Sequence, residues 1–283
     1  MSIVINHLTF AYTQGGKPLD PTLKDLTFTI EEGSFLGIIG HTGSGKSTFV
    51  KHLNGLLPCE KGTVEVDGHD LSQKSERKSV RALVGMVFQY PEYQLFAETV
   101  SEDVAFGPRN MKLDEAEVKN RVINAMTMVG LDPEIFSERS PFDLSGGERR
   151  RAAIAGVLAM HPKYLVLDEP MAGLDPLGRR EILSLLEKLR TESGCTIIMI
   201  SHSMDDIANH ATKVLVLDQG SILMYDTPQN VFSKADELQQ IGLSVPSITK
   251  ICVEMNRRGI PIPVTICTED AFLNWFREGR QHA

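Results

Sequence analysis

The chain is short of positive charge: 29 lysines and arginines face 37 aspartates and glutamates, for a formal net charge of -8. A duplex nucleic-acid partner requires a basic face to neutralise phosphates, so no nucleic acid is expected. Cysteine is also scarce. Cys59, Cys195, Cys252 and Cys267 show no C-x-x-C spacing and read as buried, reduced thiols of a cytoplasmic protein. Apolar runs are short, and none approaches the roughly 18 residues needed to span a bilayer, so the chain is not expected to cross a membrane by itself. Its opening, MSIVINHLTF, has no basic segment or cleavage site, and no secretory leader is expected there. Internal repeats and low-complexity tracts are absent.

What is present is an ordinary globular composition, 42% apolar and 23% charged over 283 residues. That length suits one large α/β domain with or without a small appendage. Residues 1–35 alternate polar and apolar, the pattern of an antiparallel, half-exposed sheet. FLGIIG, from Phe35 to Gly40, is instead continuously apolar, as for a strand buried on both faces, and YLVLDE (164–169), TIIMIS (196–201) and KVLVLD (213–218) repeat the pattern. Helical patterns lie between them. Ile182, Leu185, Leu186 and Leu189 share one face of such a helix and Gly194 closes it. Buried strands alternating with helices predict a largely parallel α/β sheet. Residues 89–160 read as a mostly helical insert, with Val118, Val122, Ala125, Met126 and Val129 as one stripe. In the last segment, Ile248, Ile251, Cys252 and Met255 line one short helix and Phe272, Trp275 and Phe276 a second.

GHTGSGKST (Gly40, His41, Thr42, Gly43, Ser44, Gly45, Lys46, Ser47, Thr48) fits G-x-x-x-x-G-K-[ST] between the strand FLGII and a helical stretch, the context a phosphate-binding loop requires. Its glycines let backbone wrap phosphates, and the helix N-terminus adds partial positive charge. Lys46 suits the β- and γ-phosphates of ATP, and Ser47 suits Mg²⁺. In YLVLDEP, Asp168 falls at a strand's carboxyl end and suits a Mg²⁺ ligand; Glu169 suits a general base for the attacking water. His202 ends the next strand, where it can hydrogen-bond a γ-phosphate. A second anion-binding pattern stands in DLSGGERRR. Ser145 offers a hydroxyl, and Gly146 and Gly147 offer unobstructed N–H groups ahead of a helix.

Taken in order, these motifs resemble those of the nucleotide-binding subunits of ATP-binding-cassette (ABC) transporters over about residues 1–240. FAY carries Tyr12, placed like the family's adenine-stacking aromatic. GHTGSGKST resembles the Walker A loop, VFQYPE the Q-loop with Gln89, LSGGE the signature, YLVLDEP the Walker B strand, GLDP the D-loop with Asp175, and SH the switch histidine. The signature ends in Glu148, where the family more often has glutamine. The resemblance implies a P-loop NTPase (ABC ATPase) core of α/β class with an antiparallel β subdomain and a helical subdomain at about 89–160, together filling residues 1–245. A small helical extension occupies 246–283. It further implies ATP and Mg²⁺ as cofactors, Mg²⁺ contacts from Ser47, Gln89 and Asp168, catalytic roles for Glu169, His202 and Gln89, and nucleotide contacts from Tyr12, the Gly40–Thr48 loop, Ser145, Gly146, Gly147 and Asp175. Cassettes of this family pair head to tail, the signature of one covering the γ-phosphate on the other, which gives both anion sites a use.

Within the family, FQYPEYQLFAETVSEDVAFGPRN, RSPFDLSGG and AGLDPLGRREIL resemble the energy-coupling-factor (ECF) ATPases, most closely the second of their two paired subunits. The resemblance implies an importer of vitamins or transition-metal ions, a second ATPase subunit as partner, a transmembrane scaffold with a substrate-binding membrane subunit, and a peripheral place on the cytoplasmic face of the cell membrane. The ATPase of an ordinary ABC importer and a soluble non-transport ABC ATPase are the alternatives. After Gln89, residues Glu92, Glu98, Glu102 and Asp103 lie among Tyr93, Leu95 and Phe96, and Thr99 with Glu102 matches a capping box. The resemblance implies that this stretch is an acidic–apolar groove for basic coupling helices of the scaffold; a capped helix with a solvated acidic first turn is the alternative.

Overall fold

The computed structural model describes residues 2–281. The N-terminal part holds β1 (Ser2–Phe10), the short pair β2 (Thr13–Gln14) and β3 (Lys17–Pro18), β4 (Leu23–Glu31), β5 (Phe35–Ile39) and α1 (Lys46–Leu53). Next come β6 (Val64–Val66), β7 (His69–Asp70), α2 (Lys74–Leu83), β8 (Val84–Val87), α3 (Val100–Asn110), α4 (Glu115–Met128), the single turn α5 (Pro133–Phe136) and α6 (Gly146–Leu158). The chain continues through β9 (Tyr164–Asp168), α7 (Pro176–Ser193), β10 (Thr196–Ile200), α8 (Met204–His210), β11 (Lys213–Asp218) and β12 (Ser221–Asp226). It closes with α9 (Pro228–Phe232), α10 (Ala235–Gln240), α11 (Ser247–Arg257) and α12 (Glu269–Gln281).

The central sheet runs β12-β11-β5-β10-β9-β8. All of its neighbours are parallel except the edge strand β12. Every residue of β5, β9 and β10 is buried, which is why their sequences read as unbroken apolar runs. The two edge strands were not anticipated: β8, the four-residue VGMV, packs beside β9, and β12 pairs antiparallel with β11. The antiparallel sheet β4-β1-β6-β7 is the expected half-exposed one, with β4 alternating buried and exposed along most of its length. Backbone joins the sheets where Lys24 N donates to Gly220 O at 2.8 Å. A side chain does so where the Tyr164 hydroxyl donates to Asp67 Oδ1 at 2.6 Å.

The 89–160 region is helical, as expected, and α3, α4 and α6 pack on one another. On α4, Val118, Val122, Ala125 and Met126 are buried. On α7, Ile182, Leu183, Leu185 and Leu186 are buried, and Gly194 takes the left-handed C-cap conformation at φ 68°. Truncating Leu186 to alanine would cost about 2–5 kcal/mol. At the C-terminus Cys252, Ile262 and Ile266 form a small separate cluster with Ile248, Met255, Phe272 and Trp275 against it. Two expected members are not inside: Ile251 is 46% and Phe276 41% exposed, while Thr249 is buried in Ile251's stead. The helix turns its 248/252/255 edge inward, and residue 251 falls outside that arc. Ser247 anchors α11 to α8, its N–H and hydroxyl both donating to the Asp205 carboxylate at 2.8 and 2.9 Å. No helix among the described residues is long and apolar enough to cross a membrane.

Candidate nucleotide site

Five parallel strands end at one edge of the central sheet, and each delivers a motif there. β5 runs into the Gly40–Thr48 loop, β8 toward Gln89, β9 into Asp168 and Glu169, β10 toward His202, and β11 ends at Asp218. Such an edge is where ligands bind in open parallel sheets.

The loop is shaped by close packing. A Cβ on Gly40 would lie 2.4 Å from Leu217 O and 2.5 Å from Ser44 Oγ, so no larger residue fits. Gly45 (φ 102°) is the N-cap of α1 with no side-chain cap, leaving the first N–H groups of the helix free to face a ligand. Lys46 is buried, and its Nζ donates to Gly40 O at 2.7 Å and His41 O at 2.9 Å. Burial lowers its pKa, while Glu169 and Asp168 oppose that shift. His41 Nε2 sits 2.9 Å from Asp218 Oδ1, pinning the loop to the end of β11. Tyr12 comes over from the antiparallel sheet, its hydroxyl 3.2 Å from Thr48 Oγ1 and its ring edge-on to Phe10.

The acidic side faces this loop. Asp168 is 6% exposed, and burial raises its pKa; a hydrogen bond from Ser47 acts the other way. Glu169 follows at φ 51°, its N–H donating to Ile200 O at 3.1 Å. A left-handed backbone outside glycine is a strained choice, here held by the next strand, and it turns the carboxylate out of the sheet. His202 Nε2 meets Glu169 Oε1 at 2.8 Å. Both line a hollow of about 160 Å³ together with Arg179 and Ser203. Arg179 was not singled out in the sequence. It grips Asp206 in a fork, Nε to Oδ1 at 3.2 Å and Nη2 to Oδ2 at 2.6 Å, and donates to Ser203 Oγ, which holds the turn carrying His202. Only tertiary proximity identifies it, since an arginine inside a helix reads as solvated.

The donor set fits a nucleoside triphosphate with a divalent cation. A buried lysine and a free helix N-terminus converge on one side, and the Asp168–Ser47 pair supplies hard oxygen ligands on the other. Ser44 Oγ is fully buried among loop backbone and has no partner among the described residues, as expected of a group that serves a ligand.

The second anion site lies elsewhere. Ser145 caps α6 in the helical layer, and its bonds stay within that helix. Ser145 N donates to Glu148 Oε2 at 2.8 Å and Glu148 N to Ser145 Oγ at 3.3 Å, a reciprocal capping box that gives the Glu148 side chain a structural use. Nothing lies within 4 Å of where a Cβ on Gly146 or Gly147 would stand, so the helix start is uncrowded on that side. Asp175 caps α7 by accepting from Gly178 N at 2.8 Å. Tyr12, Gly40–Thr48, Asp168, Glu169 and His202 therefore share one edge with the end of the Gln89 strand, whereas Ser145 and Asp175 each cap the start of a helix, α6 and α7.

The stretch after Gln89 corrects the expectation of an acidic groove. Asp103 is 9% exposed and accepts from Phe96 N (3.3 Å) and Ala97 N (3.0 Å), so it caps its own loop. Glu92 pairs with Arg150 at 3.4 Å. Thr99 accepts from Glu102 N as expected, but Glu102 faces a different hollow, beside Arg109 and Glu115. The groove itself, about 580 Å³, is lined by Leu95, Phe96, Phe106 and Met160 with Lys78 and Arg81 at its rim. Exposed Phe96 and Phe106 give it an aromatic wall, and Asp103 is its one lining carboxylate.

Comparison with known proteins agrees with this geometry. A family model described as ABC transporter matches residues 23–172, more than half the chain. The energy-coupling factor transporter ATP-binding protein EcfA2 of Symbiobacterium thermophilum is 51% identical over 95% of this chain and 93% of its own. The protein of the same name from Caldanaerobacter subterraneus is 49% identical over 95% and 94%. The chain belongs to the ABC transporter ATPase family, in its energy-coupling factor branch. Among solved structures, cbiO1 of Clostridium perfringens, described as part of the ABC transporter complex cbiONQ, superposes with a TM-score of 0.72 at 36% identity, covering 84% of this chain and 93% of that one. A dimeric ATP-binding cassette in a post-hydrolysis state with ADP and Pi gives 0.71 at 28% identity, covering 80% and 98%.

Proposed function

We propose that the sheet edge binds and hydrolyses ATP between two cassettes, as the motor of an energy-coupling factor importer of vitamins or transition-metal ions. The observation that carries this is Ser145–Gly147: an exposed, anion-binding type of helix start whose capping bonds stay within α6. A second cassette placed head to tail would set it over the γ-phosphate held by the other Lys46. Within each site Lys46 and the α1 N-terminus hold phosphate oxygens, Ser44 Oγ donates to them, and Tyr12 offers its ring to the base. Glu169 accepts the proton of the attacking water. His202, on the turn whose Ser203 and Asp206 are held by Arg179, donates to the γ-phosphate and keeps Glu169 aimed. Ser47, Asp168 and Gln89 would hold Mg²⁺, which when bound shields phosphate charge. Asp175 contributes from the edge of α7.

The partners under this reading are a paired related ATPase, or a second copy, and a membrane scaffold with its substrate-binding subunit, which place the chain peripherally at the cytoplasmic face of the cell membrane. The aromatic groove at Phe96 and Phe106, next along the chain from Gln89, is the surface that meets the scaffold. Residues 1–245 form the cassette and 246–283 an appended unit. The test is complementation. Ser145→Arg on one cassette and Lys46→Ala on the other place both defects in one composite site, whereas both substitutions on the same cassette divide them between the two sites. Hydrolysis should persist only when both defects fall in one site. Equal activity in both arrangements would show that the signature does not serve the opposite loop.

A further inference from the structure

Arg150 is the middle of three consecutive arginines in α6, yet it is only 4% exposed. Its guanidinium reaches two stretches of chain. Nη2 donates to Gln89 O at 3.3 Å, in the loop after β8. Nε donates to Glu92 Oε2 at 3.4 Å, three residues further on. Nη1 donates to Pro170 O at 3.3 Å and to Ala172 O, on the segment that begins at Glu169. Its neighbour Arg151 instead makes an ordinary partly exposed pair with Glu181 at 3.2 Å.

We propose that Arg150 is a positioning residue that ties the Gln89 loop to the backbone beside Glu169, so that the nucleotide edge and the aromatic docking stretch move together. The inference rests on the ATPase and docking reading above. The warrant is geometric. A buried cation needs its charge met and its donors filled, and only a planar fork with five N–H groups can satisfy one carboxylate and three carbonyls at once. Lysine could meet Glu92 but not all three carbonyls. The side chain also springs from the helix that Ser145 opens. Whatever engages the signature of this chain is thus joined through one rigid helix to Gln89 and to the residue after Glu169. Nothing in this arrangement requires Arg150 to touch nucleotide.

Hydrogen exchange in the assembled transporter tests this, comparing wild type, Arg150→Lys and Arg150→Gln with and without a slowly hydrolysed ATP analogue. In wild type the analogue should alter exchange in residues 89–96. In Arg150→Gln that nucleotide-dependent change should fall at least fivefold while analogue affinity, measured by fluorescence in the same samples, stays within about threefold; the ratio of substrate transported to ATP hydrolysed should fall about tenfold. Arg150→Lys, which keeps the Glu92 pair, should fall between and guards against a fold defect in the glutamine variant. A purely structural role would lower stability but leave the nucleotide-dependent difference intact. A full-sized change at 89–96 in both variants, or none in wild type, overturns the proposal. Analogue binding by wild type reports separately on the ATPase reading.

Discussion

His202 Nε2 lies 2.8 Å from Glu169 Oε1, across the ends of adjacent parallel strands. Neither residue sits in regular structure: Glu169 is left-handed at φ 51°, and His202 follows the buried Ser201 just past β10. The pair exists because two strands in parallel register finish together, Ile200 opposite Asp168. Under the proposed chemistry the histidine orients the base and contacts phosphate. His202→Ala should therefore lower kcat by about 10²- to 10³-fold with ATP affinity nearly unchanged. Single-turnover hydrolysis beside equilibrium binding separates the two effects, and a loss of binding alone would assign His202 to ground-state contact only.

A second expectation concerns acid stability. His52 in α1 is fully buried against Phe10, ring centroids 4.7 Å apart, and burial pushes its pKa down to about 4. The folded chain binds this proton only below about pH 4, the unfolded chain below its ordinary value of 6.5. Stability from this group is thus complete above 6.5 and is lost as pH falls through that window, by on the order of 3 kcal/mol in all. Urea unfolding of wild type and His52→Leu at pH 7 and pH 4.5 should show a markedly smaller loss in the variant. Parallel losses would mean that His52 does not titrate as described.

The docking groove yields a third. Asp103 receives two backbone N–H groups, so Asp103→Ala should destabilise the 96–103 loop by about 1–3 kcal/mol whatever it does to assembly. Phe96→Ser with Phe106→Ser leaves those bonds in place and removes the edge-on aromatic pair, whose centroids lie 5.0 Å apart. Copurification with the membrane scaffold should fall at least tenfold in the double serine variant while its thermal midpoint stays close to wild type. Normal copurification would move the dock elsewhere.

The sequence disclosed the site better than it disclosed its supports. FLGII, YLVLD, TIIMI and KVLVL were legible because strands buried on both faces need apolar residues throughout, and the Gly40–Thr48 spacing is dictated by phosphate geometry. VGMV was overlooked because four residues directly following a helix carry too little periodicity. Asp103 looked like docking charge because nothing local shows that two amides return to it. Arg149, Arg150 and Arg151 read alike, and only the packing of α6 on the sheet edge buries the middle one. Burial of charge is a tertiary property, and pattern alone cannot assign it.

The central claim is that this edge hydrolyses ATP with Glu169 as the base, and that hydrolysis drives transport. The most direct measurement is ATP turnover by the reconstituted transporter carrying Glu169→Gln, with bound nucleotide counted in the same sample. The amide keeps the shape and can still accept from His202, but it cannot take a proton from water. Turnover should drop by about 10²- to 10⁴-fold, ATP should remain bound between the paired cassettes, and substrate uptake should stop. Turnover and uptake near the wild-type level would contradict the account.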